Sequence, residues 1–159
     1  MEPVDGCRKL RWIMAALFLV IICPGPAIPG ESRETAAMTA KTSEEAAIRN
    51  AAMKYLDAEK RRDFRAVYAM LAPSSAYVRA HTREEYLAEA RVSPIFITEY
   101  RVISITDIRE NRYRKTYPAI EGFARVEVEL KLFARDTSTY ETINILFTFI
   151  KEGGAWLKG

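Results

Sequence analysis

The stretch from Ala119 to Ala134 constrains this chain more than any other. Its even positions are Ile120, Gly122, Ala124, Val126, Val128, Leu130, Leu132 and Ala134; its odd positions are Glu121, Phe123, Arg125, Glu127, Glu129, Lys131 and Phe133. Side chains alternate across a strand with a period of two, so this pattern dictates a long strand with an apolar face inside and a charged face in water. A strand of that length must twist, and Gly122 is the natural place for it to bend or bulge. It is the spine of a curved antiparallel sheet laid over helices.

The flanking segments supply both layers. Thr42 with Glu45 three residues later has the capping-box pattern, and Ile48, Ala51, Ala52, Tyr55, Leu56 and Glu59 follow at helical spacing, apolar except the last. This predicts a helix to about Lys60 or Arg61. Asp63 caps a second helix carrying Phe64, Val67, Tyr68 and Leu71, stopped by Pro73-Ser74-Ser75. Thr82 with Glu85 opens a short third helix that Ser93-Pro94 closes. From Ile95 the period becomes two, giving a strand to about Ile108. A basic loop leads into the spine, Asp136-Thr137-Ser138 turns into a third strand over Tyr140–Lys151, and Gly153-Gly154 turns into a last short strand. Three helices followed by antiparallel strands make an α+β domain over residues 43–159, with 31–42 expected as a flexible tether.

Residues 1–30 read as an address. Arg8, Lys9 and Arg11 precede an uncharged run from Trp12 to Cys23, which Pro24, Gly25, Pro26, Pro29 and Gly30 interrupt. A basic flank, a short apolar run and helix breakers match an export signal peptide, with an uncleaved membrane anchor as the alternative. Either places the domain outside the cytoplasm, in a bacterium in the periplasm, and an anchor keeps it close to the membrane. Both cysteines, Cys7 and Cys23, lie in this segment, so the domain itself has no thiol to offer a disulfide or a metal. The net charge of +3 is modest and excludes the strong basic excess of a nucleic-acid binder.

This order of elements resembles the nuclear-transport-factor-2-like (SnoaL-like) superfamily, a cone of three helices enclosed by a curved antiparallel sheet. The residues that carry the likeness are Tyr55-Leu56-Asp57-Ala58 ending the first helix, the step Arg62-Asp63-Phe64-Arg65-Ala66-Val67-Tyr68, the exit Leu71-Ala72-Pro73-Ser74, and the closing hairpin Phe149-Ile150-Lys151-Glu152-Gly153-Gly154-Ala155-Trp156. Exported members of unassigned function are similar in layout. The resemblance implies a cone whose interior takes a small apolar molecule, or a sheet that takes a protein partner or a second copy of the chain as a homodimer. Its enzymatic members, the ketosteroid isomerases and SnoaL-type cyclases, and its membrane-tethered secretion-assembly members supply the alternatives. Fold alone transfers none of these activities.

The strand faces expected inside, Gly122 to Leu132 on the spine and Ile143, Ile145, Phe147 and Phe149 on the third strand, hold no titratable group, so acid–base chemistry has no agent there. The first strand offers Tyr100, or Glu99 with Asp107, depending on a register that a one-residue slip exchanges. Tyr55, Tyr68 and Tyr100 are the expected ligand contacts at the mouth of the cone, and the small Gly122 and Ala124 are expected to leave room inside. Asp57 reads as a solvated helix residue and His81, the sole histidine, as an exposed loop residue. No catalytic residue, metal site or cofactor is expected. Two basic clusters, Lys60-Arg61-Arg62 with Arg65 and Arg109, Arg112, Arg114 with Lys115, read as solvated surface or as contacts to anionic headgroups or an acidic partner.

Overall fold

The computed structural model describes residues 31–159, with side chains from Met38 onward; residues 1–30, expected as an export signal or anchor, lie outside the described residues. Four helices precede four strands: α1 (Glu31–Lys60), α2 (Phe64–Ala69), α3 (Ala76–Ala80), α4 (Arg83–Val92), β1 (Ile95–Glu110), β2 (Ile120–Ala134), β3 (Thr139–Glu152) and β4 (Ala155–Lys158). The strands form one antiparallel meander in the order β1-β2-β3-β4. Among the described residues no helix is long and apolar enough to cross a membrane.

The spine lies as its alternation requires. Ala124, Val126 and Val128 are fully buried against Ile48, Ala52 and Leu56 of α1. On the opposite face Glu127 accepts a hydrogen bond from Ser104 Oγ at 2.9 Å, and Glu129 pairs with Arg101 at 3.2 Å. Phe149 on β3 stands opposite Ala124 and closes the core together with Trp156. The edge strand β4 is tied to the helical layer by its backbone: Ala72 N donates to Lys158 O at 2.7 Å and Lys158 N to Met70 O at 2.8 Å.

Gly122 marks a register shift between β2 and β3, as a glycine bulge should. A Cβ there would meet the Arg109 carbonyl oxygen at 2.8 Å, so the residue is small because β1 passes close by. Alanine at Gly122 is expected to cost about 1–3 kcal/mol, since backbone must move to admit it; urea unfolding of the variant measures this.

Three local expectations need correction. The segment 31–42, expected as a tether, belongs to α1, and Thr42 donates to Met38 O at 2.8 Å inside the helix instead of capping it. Residues 38–42 are exposed, Met38 by 68%, and the alanines, glutamates and lysine of the stretch favour helix by propensity. Ser75, expected only as a stop, accepts from Val78 N at 3.3 Å and so caps the unforeseen α3. His81 consequently ends a helix and stacks on Tyr77 with ring centroids 4.4 Å apart, half-buried and not in an open loop.

Candidate functional site

The helical face Ile48, Ala52, Tyr55, Leu56, Glu59 enters the core at its first four positions and ends on a carboxylate. Tyr55 and Glu59 stand one turn apart on the same side, and the Tyr55 hydroxyl donates to Glu59 Oε1 at 2.9 Å. Glu59 lines a cleft of about 190 Å³ between the end of α1, α4 and the start of β1. Phe64, Tyr86, Phe96 and Ile97 make its walls.

Burial governs the electrostatics. It raises the proton affinity of Glu59 above the usual carboxylate value, against the opposing pull of the Tyr55 hydrogen bond and the charges of Arg62 and Lys158. Burial, then the Glu59 charge, pushes the Tyr55 and Tyr86 hydroxyls far up, so both keep their protons as donors. Lys158 is pushed down by burial, with Glu59 resisting. Its ammonium sits 5.2 Å from the Phe147 ring centroid, and the same ring meets Tyr55 edge-on at 6.0 Å. A carboxyl that holds its proton more tightly than usual, beside protonated phenols and apolar walls, can present either a donor or an acceptor to a guest.

Arg62 frames this cleft. Its guanidinium lies between Phe96 at 4.2 Å and Phe64 at 4.9 Å and donates to the carbonyls of Ala90 and Arg91, each at 3.2 Å. Those two carbonyls end α4, where a cation also complements the helix dipole. Arg62 holds a φ of 57°, a left-handed conformation that glycine would adopt more easily, so the side-chain contacts outweigh the backbone cost. One member of the first basic cluster is therefore structural.

The remaining expected site residues separate. Tyr68 on α2 stacks obliquely on Tyr86, 5.5 Å between centroids, and so adjoins the Glu59 cleft from outside. Tyr100 donates to Asp57 at 2.6 Å, which fastens β1 to α1; burial, then Asp57, pushes its hydroxyl up to about 12. Asp57 is thus bonded, not merely solvated. Ala124 is sealed in the core, and Gly122 borders a different cleft of about 320 Å³ at the far end, beside Glu44, Arg114 and Lys151. The first strand resolves its register by bulging at three places. Ile97, Tyr100, Val102, Ile105 and Ile108 face the core, and Glu99 and Asp107 pair outside with Lys131 at 3.0 Å and Arg125 at 3.5 Å.

No protein-family model and no curated protein matches this chain. Among solved structures, a ketosteroid isomerase-like protein from Erwinia carotovora atroseptica SCRI1043 is similar. Its identity is 19% and its TM-score 0.47, over 72% of this chain and 90% of that one.

The residue that sequence reasoning passed over is Glu59. The strand faces expected inside hold no acid, and the acid of the cleft comes from a helix. The signal was there: Glu59 is the polar end of an otherwise apolar helical stripe, four residues after Tyr55.

Proposed function

We propose that this domain is an exported binding module for a small, largely apolar molecule with one polar end, held in the Glu59 cleft. The observation that carries the reading is the placement of the Glu59 carboxyl, held 2.9 Å from the Tyr55 hydroxyl in a cleft walled by Phe64, Tyr86, Phe96 and Ile97, where burial raises its proton affinity. Perturbed groups in clefts are where recognition and chemistry concentrate. At about 190 Å³ the cleft is smaller than the roughly 300–1,000 Å³ that holds drug-sized ligands, which favours a guest of one or two rings. Phe64, Phe96 and Ile97 cover its apolar body. A protonated Glu59 donates to a carbonyl or ether oxygen; an ionised one accepts from a hydroxyl or amine.

The test is a nuclear magnetic resonance screen of small cyclic ketones, phenols and amines. Binders are expected to shift the Phe96 and Ile97 amides while leaving Gly122 unmoved. Shifts confined to the Gly122 end, or none across such a set, would remove the reading. The raised proton affinity of Glu59 also favours a second one, a proton-transfer enzyme. A bound ketone incubated in deuterated water separates the two: exchange at its α-carbon, lost in Glu59→Gln, marks the enzyme, and a ketone recovered without label marks the binder.

A further inference from the structure

The second basic cluster divides where the sheet ends, because Arg109 on β1 has a carboxylate partner in Asp107 and the loop members have none among the described ion pairs. Arg101, Arg109, Arg125 and Lys131 each find a carboxylate within 3.0–3.5 Å. Arg112, Arg114 and Lys115 take part in none of the ion pairs among the described residues. All three are exposed, as are Tyr113 at 70% and Tyr117 at 47%.

The loop that carries them is built to hold this display. Asn111 beneath it is only 4% exposed. Its Nδ2 donates to the carbonyls of Tyr117 and Ile120, each at 3.0 Å, and its Oδ1 accepts from Tyr113 N at 2.8 Å. One buried side chain thus fixes both ends of the loop and turns its charges and phenols outward at little further entropy cost on binding.

Position supplies the occupant. Arg109, Glu110 and Arg114 wall one cleft with Glu44 of α1, and Lys151 holds Glu44 at 2.8 Å, so the loop sits where α1 enters the sheet. From there α1 continues back to Glu31, a rise of about 20 Å, toward the apolar run 12–23. The seven residues 24–30 can span up to about 25 Å, long enough for the stalk to lie along a surface and bring the loop down to it. Basic residues mixed with tyrosines at a domain's membrane-proximal end are what an anionic interface attracts.

We propose that the loop 111–119 is a foot that rests on an anionic lipid bilayer; this depends on residues 12–23 entering a membrane, but not on what the Glu59 cleft holds. Each removed charge should weaken the contact about five-fold, and raised salt should release it.

The test uses the full chain reconstituted into vesicles of phosphatidylcholine, alone or with 30% phosphatidylglycerol, and reads amide hydrogen exchange. Residues 112–119 are expected to exchange several-fold more slowly in the anionic vesicles, with the difference erased in 0.5 M NaCl and in Arg112→Gln/Arg114→Gln/Lys115→Gln. The variant Lys60→Gln/Arg61→Gln/Arg65→Gln, at the opposite end, should keep the difference. Equal exchange in both lipids overturns the proposal. So does protection by heparin in detergent without protection by anionic vesicles, which would identify a soluble acidic partner instead.

Discussion

Glutamine in place of Glu59 will flatten the acid side of the stability curve. The native carboxyl binds its proton more tightly than the ordinary value of 4.5, because burial penalises its charge more than Tyr55, Arg62 and Lys158 reward it. Between that ordinary value and the raised one, the folded state carries more protons than the unfolded state, so the free energy of unfolding falls as pH rises. The contribution is complete below the unfolded value and lost as pH climbs through the folded one. Glutamine cannot ionise, and its side-chain carbonyl still accepts from Tyr55, so the variant should lack this slope and become the more stable protein at neutral pH. Lys158 acts with the opposite sign at the alkaline end, where a lysine whose folded proton affinity is lowered makes stability rise with pH. Urea midpoints of both proteins from pH 4 to pH 8 measure the difference, and parallel curves would return Glu59 to the status of a solvated carboxylate. Binding gives the complementary readout. Glu59→Leu keeps the apolar walls but removes the polar contact, and a guest of the cleft should bind at least about tenfold more weakly. A site that gains stability when its polar group is removed, and loses affinity with it, is holding that group for function.

How far the sequence revealed this molecule depended on how well local pattern and tertiary contact agreed. Agreement was complete in β2, where alternation from Gly122 to Leu132 named the buried face, because α1 covers that face and the pairing with β3 runs without a register slip after Gly122. In β1 the pattern misled. Bulges after Ile97, Val102 and Thr106 re-aim successive side chains, so the inward set draws on both alternating sets and Asp107 adopts a φ of 53°. Strict periodicity cannot encode an extra residue whose cause is a partner strand. The start of α1 was hidden for a different reason: with no apolar face to read, only the weak sum of propensities over Glu31–Lys41 marked it as helix. Chemistry singles out the tyrosines as rim candidates, but their partners are not legible in the sequence. Tyr55 meets Glu59 within one helix turn, whereas Tyr100 reaches Asp57 across 43 positions of chain.

Alanine at Phe149 is expected to be the most damaging single truncation in the domain, at about 3–5 kcal/mol. Phe149 is 1% exposed and stands opposite Ala124, with Trp156 and Val126 in the same cluster. Against a total stability of about 5–15 kcal/mol for a domain of this kind, the variant should melt about 10 °C lower or more. The physical reason bears on where a ligand can sit. Ala124 is small, and a small residue on a concave sheet could have marked an interior chamber; in this fold the Phe149 ring occupies that space. Removing the ring should open a dry, apolar cavity, and such cavities take up benzene. Saturating benzene should therefore raise the melting temperature of Phe149→Ala and leave the parent unchanged, because a ligand that binds only the folded variant stabilises it by mass action. A loss below about 1 kcal/mol, or an equal benzene effect on the parent, would mean that the face under Ala124 is loosely filled. The guest chamber would then belong under the sheet, and the Glu59 cleft would be a surface recess.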